Sequence, residues 1–545
     1  MKYKYVDLFA GAGGLGEGFS RAGFEPALSC DADKFCAETL TLRHFLHSFD
    51  GDFPSEYYSF LRGELSLENL FDRFPEKRDQ ACLKVLCFKM EKGKSNQKLH
   101  RLIRRNVADA PFVLLGGPPC QAYSLAGRSR RLGVRGLENE RQERVTAFFK
   151  DEKHTLYKHY LEVLAFHKPE IFIMENVKGL LSARKAADGS SGEVFEEILN
   201  GLAEPARTVK SLGMDMDDIG RPLENLAYKL SPLSRNFSSQ LYLHENPVPG
   251  DFLIDASEFG VPQKRERVFI LGIRTDINIQ ELSLLRDEKV CVRDAIGHLP
   301  ILRSGLSKSR DNWDEWKRNI SESVETYFSG FRFEQQAQET SKNIQSLNSP
   351  LSRGAAYIQD QTTHPQKSKL ENFLKDEKID GWIQHETRGH LSSDILRYLL
   401  CAVMGEQTGR SPKIEDWTGN LEHLRPKHKN ILTEEGALRT SVHSDRFRVQ
   451  VWDQPSTTVT SHISKDGHYF IHPDPLQARS LTVREAARLQ TFPDNYFFCG
   501  PRTEQYRQVG NAVPTYLAYQ IAKTLKKSLR EKHWMTLPEN QDEMK

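Results

Sequence analysis

The 545-residue chain lacks the features that define several classes of protein. Its 76 lysine and arginine residues are balanced by 74 aspartate and glutamate residues, so it is not a histone-like polycation, although a basic face could still bind nucleic acid. Its eight cysteines form no C-x-x-C pair and no repeated spacing, which argues against a zinc site and a disulfide framework. No apolar stretch approaches the roughly 18 to 20 residues of a membrane-spanning helix, and the start shows no secretory signal, so we expect a cytoplasmic protein.

What is present is typical of an ordinary folded chain. Hydrophobic residues make up 38% of the sequence and charged residues 28%. At about 150 residues per domain, the length allows about three to four structural units.

The beginning of the chain follows a pattern of strand, turn, helix and strand. Residues 3–9 are apolar, residues 11–16 form a glycine-rich turn, residues 17–22 can begin a helix, and residues 26–30 form a second apolar run. This βαβ pattern predicts a parallel sheet. Three later runs are continuously hydrophobic, which is typical of central parallel strands covered on both faces. They span residues 111–115, 170–174 and 267–273.

Changes of composition divide the chain into a core and two inserted segments. Residues 46–108 are charged and helix-like, and we interpret them as a helical insertion without a catalytic pattern. Residues 276–450 are polar and turn-rich, which predicts a separate domain inserted into the first one. The core therefore consists of residues 1–275, with the strand and helix alternation returning over residues 451–545.

The glycine-rich turn is a candidate nucleotide site. Residues 11–16 satisfy G-x-G-x-x-G after a strand, with Asp31 about 20 residues further on. Glycines let a backbone approach a nucleotide closely, and an acidic residue after the second strand can bind ribose hydroxyls. NAD, FAD and S-adenosylmethionine would all fit such a site, and a tight turn without a ligand is a further alternative.

A cysteine follows the next buried strand. The sequence Gly116-Gly117-Pro118-Pro119-Cys120-Gln121 places Cys120 at the carboxyl edge of the predicted sheet, where doubly wound folds bind ligands. The two prolines restrict the backbone and so hold the thiol in one direction. Most cysteines are inert core residues, but one on a rigid turn that leads into a polar segment suits a nucleophile.

Polar residues also flank the two remaining apolar runs. Glu175 follows the run at 171–173, where burial would favour a proton-donating carboxyl group; a helix cap is the alternative interpretation. Alternation in an extended segment places Gln263, Arg265 and Arg267 on one face. Such donors suit a planar polar ligand or a phosphate, and a solvated edge strand is the alternative.

Taken together, these motifs resemble the DNA cytosine-5 methyltransferases, a mostly bacterial family. Six motifs occur in the order of that family, at residues 7–14, 118–121, 175–177, 263–267, 479–490 and 508–514. The resemblance covers about 1–275 and 445–525, and the segment between them matches in position only. It implies an α/β fold, with the doubly wound, Rossmann-like sheet of S-adenosylmethionine-dependent methyltransferases and an inserted target-recognition domain at 276–450.

The resemblance also implies a covalent mechanism. Carbon 5 of cytosine is a poor nucleophile, and a thiolate that adds to carbon 6 turns the ring into an enamine able to attack a sulfonium methyl group. Cys120 would be this thiolate, and Glu175 would be the acid that meets the charge at ring nitrogen 3. Arg267 would hold the ring carbonyl oxygen, while Arg265 would lie close to the thiol and the DNA backbone. Gln263 would support this pair of arginines.

By the same resemblance, the methyl donor S-adenosylmethionine would lie over the glycine turn, with its adenine against Phe9 and its ribose on Asp31. The full set of expected donor contacts is Phe9, Gly11, Gly13, Leu15, Asp31, Asn511 and Val513. Two departures from the family stand out. Asp31 and Ala32 replace a glutamate and a large apolar residue, and the acidic third-strand residue that would contact the adenine amino group cannot be located within 46–108.

A cytosine stacked in a duplex cannot meet a thiol on one face and a methyl donor on the other, so it must leave the helix. The resemblance implies that the loop after the nucleophile closes over the flipped base. Here this loop is basic, and its candidate DNA contacts are Ser124, Arg128, Arg130 and Arg131. Duplex DNA is therefore the expected partner. We expect a monomer that uses no metal ion. It would act either in a restriction-modification system, with a cognate restriction endonuclease as a separate protein, or as an orphan enzyme without one.

Two rival functions remain on the sequence alone. An RNA cytosine-5 methyltransferase would not be expected to carry a recognition insert as long as 276–450. A catalytically silent DNA-binding regulator of the same fold would have lost its nucleophile or acid, yet Cys120, Glu175 and Arg267 are all present. A nicotinamide dehydrogenase has no use for the Pro-Pro-Cys and Gln-x-Arg-x-Arg motifs together.

Overall fold

A mixed β-sheet forms the centre of the molecule. The computed structural model describes residues 3–49, 51–90, 96–108, 110–119, 156–183, 192–211, 225–233, 247–279, 282–308, 310–360, 368–426 and 445–535. The strands of the sheet are β1 (Lys4–Leu8), β2 (Glu25–Asp31), β3 (Val85–Cys87), β4 (Phe112–Gly116), β5 (Ile171–Val177), β6 (Tyr228–Ser231), β7 (Leu253–Asp255) and β8 (Glu266–Arg274). Their order is β3-β2-β1-β4-β5-β8-β6, and β7 also pairs with β8. The chain winds outward from β1 in both directions, which is the doubly wound arrangement that the sequence predicts.

The prediction that residues 267–273 form a parallel strand is wrong. Strands β1 to β5 are parallel neighbours, but β8 runs antiparallel to β5, with Ile171 opposite Ile273 and Val177 opposite Arg267. A strand buried on both faces has the same continuous hydrophobicity in either direction, so this pattern does not reveal strand orientation. The reversal matters because the beginning of β8 reaches the edge of the sheet where β5 ends.

Helices cover both faces of the sheet. In chain order they are α1 (Gly14–Arg21), α2 (Lys34–Leu46), α3 (Ser55–Leu61), α4 (Leu67–Arg73), α5 (Pro75–Leu83), α6 (Gln97–Val107), α7 (Leu156–His167), α8 (Glu193–Ala203), α9 (Pro205–Ser211), α10 (Val292–Ile296), α11 (Trp313–Tyr327), α12 (Glu334–Ser346), α13 (Lys369–Leu374), α14 (Ser392–Thr408), α15 (Val483–Leu489), α16 (Arg502–Asn511) and α17 (Thr515–Met535). Alternate residues of β1 face opposite sides. Tyr5 packs in an apolar cluster with Phe19 of α1 and Leu517 of α17, whereas Val6 belongs to the cluster that contains Leu161 of α7.

The segment 46–108 contains a strand of the central sheet as well as helices. Strand β3 pairs with β2, with Ser29 opposite Val85 and Asp31 opposite Cys87. Three residues between charged helices are too short a run for the hydrophobic pattern to identify. The second half of this segment therefore belongs to the core: β3 lies in the sheet, and α6 packs its apolar residues Leu99 and Ile103 onto the same cluster.

Most of one apolar cluster comes from the inserted segment, and Ile471 and Ala478 of the returning segment complete it. Trp316 of α11, Tyr398 and Leu399 of α14, and Trp417 are all buried in it. Short strands β9 (Gly305–Leu306) and β12 (Gly389–His390) pair with each other, as do β10 (Gly354–Gln359) and β11 (Gly381–Glu386). Other parts of the segment pack directly on the core: Phe373 of α13 contacts Tyr516 edge to face, and Trp382 of β11 lies in a cluster with residues of α15.

Three fully buried arginines join the inserted segment to the core. Arg479 donates to the carbonyl of Leu302, Arg484 to that of Ile383, and Arg488 to that of Ala295. Two of them also have buried carboxylate partners: Arg479 pairs with Glu485 at 2.6 Å, and Arg488 pairs with Asp494 at 2.6 Å. Breaking a buried pair of this kind is strongly destabilising, since it leaves an uncompensated charge. The position of the inserted segment on the core therefore depends on these side chains.

Two buried histidines lie beside this network, and we expect them to make the protein less stable in mild acid. Burial, mainly, lowers the pKa of His385 to about 4, and burial together with the nearby Arg479 lowers that of His472 to about 3. The unfolded chain takes up a proton at each histidine below a pH of about 6.5, whereas the folded chain does not. The free energy of unfolding should therefore fall as the pH drops from 6.5 towards 4, by about 2 kcal/mol per histidine at pH 5.

Urea unfolding at pH 7 and pH 5 checks this expectation. The His385→Gln variant should show a weaker pH dependence than the wild type, whereas His423→Gln, which alters an exposed histidine, should keep it. An equal pH dependence in the wild type and in His385→Gln would rule out this histidine as a source of the acid sensitivity.

Candidate active site

Four segments that carry predicted site residues meet at one edge of the sheet. The glycine turn follows β1, residues Gly117–Pro119 follow β4, and Glu175 lies near the end of β5. Since β1, β4 and β5 are parallel neighbours, their carboxyl ends share this edge. Arg267 joins them because β8 begins there. In α/β sheets this edge, next to the switch in strand order, is where ligands bind.

Glu175 and Arg267 form an ion pair at the centre of this edge. The Arg267 Nε lies 3.1 Å from the Glu175 Oε1, and the side chains are only 17% and 13% exposed. A Cβ atom on Gly117 would lie 3.1 Å from the other carboxylate oxygen, so the backbone before the cysteine runs directly against Glu175. The sequence places Cys120 three residues further on. Cys120, Ser124, Arg128, Arg130 and Arg131 lie outside the described residues.

Asn176 holds the proline segment in place. Its Nδ2 donates to the carbonyl of Pro118 at 3.3 Å, and its Oδ1 accepts from the Val177 N–H at 2.9 Å. Gly116 fits under the same segment only because it has no side chain, since a Cβ there would lie 2.7 Å from the ring of Tyr160. The sequence assigns no role to Asn176. Its position beside Glu175 in the motif was the only available signal.

A second extended segment supports the arginines. Residues 456–459 run alongside residues 262–265, with hydrogen bonds from the Ser456 N–H to the Pro262 carbonyl and from the Lys264 N–H to the Ser456 carbonyl. Arg265 is buried and donates through Nη1 to the Val459 carbonyl at 2.9 Å, while its Nε has no partner among the described residues. Burial, and then the charge of Arg267, lowers the pKa of Arg265. A buried guanidinium with an unused N–H is suited to an oxygen of a ligand.

Gln263 is fully buried and its amide is fully occupied by protein contacts. Nε2 donates to the Leu489 carbonyl and to the Gln490 Oε1, both at 3.1 Å. Oε1 accepts from the Val459 N–H at 2.9 Å. With these bonds the side chain holds protein segments together. Lys264 between Gln263 and Arg265 is exposed, as the predicted alternation requires.

The glycine turn has the backbone of a nucleotide-binding loop. Gly11 and Gly13 have φ values of +56° and +80°, in the left-handed region that glycine adopts without strain. Phe9 also has a positive φ of +58°, and such strain in a non-glycine residue clusters at functional sites. Asp31 accepts from the Gly11 N–H at 2.8 Å through Oδ2 and from the Asp33 N–H at 2.9 Å through Oδ1. Each oxygen keeps a lone pair, so the carboxylate can still accept from ligand hydroxyls.

The end of the chain returns to this turn. A Cβ atom on Gly14 would lie 2.2 Å from the Val513 carbonyl oxygen, and one on Gly18 would lie 2.5 Å from the Ala518 Cβ. Helix α17 therefore packs closely on α1, beside β1, as the sequence motifs predict. The Tyr496 hydroxyl donates to the Ala12 carbonyl and so helps to hold the glycine turn in place. Asn511 is exposed at the end of α16.

Two further properties concern only the part of the chain that the structure describes. It contains no group of three or more histidine, cysteine, aspartate or glutamate side chains placed to hold a metal ion. None of its helices combines the length and apolar character needed to cross a membrane.

The sheet order and the edge site match the Rossmann-like α/β fold of the S-adenosylmethionine-dependent methyltransferases. The crystal structure of a putative DNA modification methyltransferase encoded within an E. coli prophage shares the fold with a TM-score of 0.50 and 17% identity, over 97% of this chain and 100% of that one. The profile of the C-5 cytosine-specific DNA methylase family matches residues 3–57, 73–222 and 252–527. The chain belongs to this family, and it is a DNA cytosine-5 methyltransferase.

Two relatives illustrate the match. The type II methyltransferase M.Bpa9945I of Bacillus paralicheniformis is 30% identical over 97% of this chain and 99% of its own length. The DNA (cytosine-5-)-methyltransferase M.ApeKI of Aeropyrum pernix is 27% identical over 76% of this chain and 80% of its own length. The α/β fold and the enzyme class predicted from the sequence are thereby confirmed.

Proposed function

We propose that the enzyme methylates a cytosine flipped out of duplex DNA through a covalent adduct with Cys120. The observation that carries the proposal is the ion pair between Glu175 and Arg267 at 3.1 Å, set against the backbone of Gly117. Gly117 is three residues before Cys120 in the sequence. A thiol, a carboxyl group and a guanidinium at one sheet edge are the groups that addition to a cytosine ring requires.

The proposed reaction begins at the thiolate. The Cys120 sulfur forms a bond to carbon 6 of cytosine, and the electron pair of the ring double bond between carbons 5 and 6 moves towards nitrogen 3. Glu175 enters this step as the neutral acid, with its Oε1 still accepting from the Arg267 Nε, and gives its proton to nitrogen 3, which leaves an enamine with carbon 5 as the nucleophile. When bound, the methyl donor supplies an electrophilic sulfonium methyl group to that carbon. A base such as a water molecule then takes the carbon 5 proton, the electron pair of that bond re-forms the double bond between carbons 5 and 6, and the Cys120 sulfur leaves as a thiolate. Nitrogen 3 returns its proton to Glu175.

The arginines have separate roles in this scheme. Arg267 orients the Glu175 carboxylate through Nε and holds the ring carbonyl oxygen. Arg265 is fixed by its bond to the Val459 carbonyl, which leaves its unused Nε for the substrate side of the site. Gln263 would support the two arginines by fixing their segment, since its amide is bonded entirely to protein.

The glycine turn fits S-adenosylmethionine. The left-handed glycines form a tight turn, and a Cβ on Gly11 would meet no atom within 4 Å, so space remains beside that residue. The residues that would hold the donor are Phe9, Gly11, Gly13, Leu15, Asp31, Asn511 and Val513. Asp31 would accept from the ribose hydroxyls, and Val513 would bring the C-terminal segment to the donor.

The Asp31→Ala variant should raise the KM for S-adenosylmethionine about tenfold or more while lowering kcat less, because a ribose contact contributes to binding before and during transfer. Steady-state kinetics with varied donor and saturating DNA measure both constants. The matched control is Asp33→Asn, which keeps the oxygen that caps α2 by accepting from Phe35 and Cys36. An unchanged KM in Asp31→Ala would count against the ribose role.

The proposed substrate is duplex DNA, contacted by Ser124, Arg128, Arg130 and Arg131, and by the inserted segment 276–450. Because M.Bpa9945I is named a type II methyltransferase, we propose that this chain also protects DNA within a restriction-modification system, as a monomer in the cytoplasm. The cognate restriction endonuclease would be a separate protein.

Two experiments test this function directly. Transfer of a labelled methyl group to duplex DNA, and none to transfer RNA, is the expected result, and the reverse would favour the RNA enzyme. Bisulfite sequencing of a plasmid expressed with the protein should show 5-methylcytosine in one sequence context. A plasmid without any such context would contradict sequence-specific DNA methylation.

A further inference from the structure

A second buried glutamine connects the two halves of the site. Gln490 is fully buried directly after α15. Its Oε1 accepts from the Gln263 Nε2 at 3.1 Å, and its Nε2 donates to the Val509 carbonyl at 2.8 Å and to the Ala512 carbonyl at 3.2 Å. Its backbone carbonyl also accepts from the Thr515 N–H at 3.3 Å. Gln490 is thus bonded on one side to the segment of the arginines and on the other to the C-terminal segment.

The hydrogen-bond partners of Gln490 lie within two residues of proposed site residues on both sides. Gln263 is two residues before Arg265, whose guanidinium lies on the same buried face. Ala512 directly precedes Val513, whose carbonyl oxygen packs against Gly14 of the donor turn. The amide pair of Gln263 and Gln490 is therefore a short, fully hydrogen-bonded connection between residues 263–267, which would hold the base, and the turn that would hold the donor.

The backbone around the two glutamines is also closely packed. A Cβ atom on Gly510 would lie 2.3 Å from the carbonyl carbon of Thr460, so α16 touches the backbone of the segment that supports the arginines. Val459 in that same segment donates its N–H to the Gln263 Oε1. The two glutamines thus lie in a tightly packed contact region, where loss of their hydrogen bonds would change the spacing between the two segments.

We propose that Gln490 is a positioning residue that sets the distance between residues 263–267, which would hold the base, and the C-terminal segment at Ala512 and Val513, which would hold the methyl donor. This inference rests on the proposed function. Methyl transfer requires the reacting carbon atoms to meet at about 3 to 3.5 Å, and a misplacement of about 1 Å can cost about 100-fold in rate. Addition of the thiol to carbon 6 does not require that distance, since it involves only the groups on the base side of the site.

Two reactions of the same enzyme separate these steps. In the first, single-turnover transfer of a labelled methyl group reports the alignment of donor and base. In the second, without donor, the enamine takes a solvent proton at carbon 5, and elimination then removes the original hydrogen and expels the thiol. Release of tritium from duplex DNA labelled at carbon 5 of cytosine measures this exchange, and it needs the base side only.

The Gln490→Met variant keeps the size of the side chain but loses all three hydrogen bonds. We expect its methyl transfer to fall about 100-fold, with tritium exchange within about threefold of the wild type. Gln490→Glu can still accept from Gln263 but, when ionised, cannot donate to the two carbonyls, so it should show the same split. Both rates come from one preparation, so their ratio does not depend on the fraction of folded enzyme.

Gln508→Met is the matched control. Gln508 is a buried glutamine of α16 that bonds to Thr39 and to the Cys499 carbonyl instead of to the two site segments. Its substitution should lower the thermal midpoint without changing the ratio of transfer to exchange. An equal fall of both rates in the Gln490 variants, or failure of both to fold, would overturn the positioning role. Absence of exchange and transfer in the wild type would instead refute the proposed function.

Discussion

The Cys120→Ser variant should lose methyl transfer by about 10,000-fold or more while it still binds DNA. A serine hydroxyl is almost entirely protonated near neutral pH, so it cannot replace a thiolate that must bond to carbon 6, and loss of a nucleophile costs enzymes at least about this much. Binding should survive because its contacts come from other residues. Incorporation of labelled methyl groups into plasmid DNA measures the loss, and electrophoretic mobility shifts measure DNA binding.

A control and a trapping experiment sharpen this prediction. Cys82 is an exposed cysteine of α5, so the Cys82→Ser variant should retain full activity. In the presence of the methyl donor, duplex DNA with 5-fluorocytosine at the methylated position should form a stable adduct with the wild type. After methyl transfer, carbon 5 carries fluorine in place of a proton, so the elimination that would expel the thiolate cannot occur. The adduct should be absent in Cys120→Ser. Full turnover by Cys120→Ser, or no adduct with the wild type, would contradict the covalent mechanism.

The assembly of the site at one sheet edge follows from the sequence. Once β1, β4 and β5 are interpreted as parallel strands, the glycine turn, the Gly117–Pro119 segment and Glu175 must share an edge, because carboxyl ends of parallel strands coincide. Alternation likewise predicts that Gln263 and Arg265 are buried together. These are local rules, and each depends on only a few neighbouring residues.

What the sequence does not reveal are properties that depend on distant partners. The direction of β8 is set by its pairing with β5, and its hydrophobicity is the same in both orientations. The role of Gln490 is visible only when Gln263, 227 positions away, is found beside it. A buried glutamine carries no signal of its own in sequence, since glutamine is mostly an exposed residue.

The Glu175→Gln variant should lower kcat by about 100-fold to 10,000-fold, the range that general acid catalysis contributes. Glutamine keeps the shape of the side chain and can still accept from the Arg267 Nε, but it has no acidic proton for nitrogen 3 of the ring. The affinity for DNA should change little, because the loss concerns a proton transfer after binding. Single-turnover methyl transfer at saturating DNA and donor measures the effect.

The opposite end of the same two strands offers a matched control. Glu170, just before β5, lies 3.6 Å from Arg274 at the end of β8 and accepts from the Phe112 N–H at 2.8 Å. Glu170 and Glu175 are thus both carboxylates paired with an arginine between β5 and β8, but only Glu175 lies at the carboxyl edge. Glu170→Gln should leave kcat within about threefold while costing about 1 kcal/mol of stability. If both variants lost activity equally, the Glu175–Arg267 pair would be a structural ion pair of the sheet, and the acid would have to be sought elsewhere at this edge.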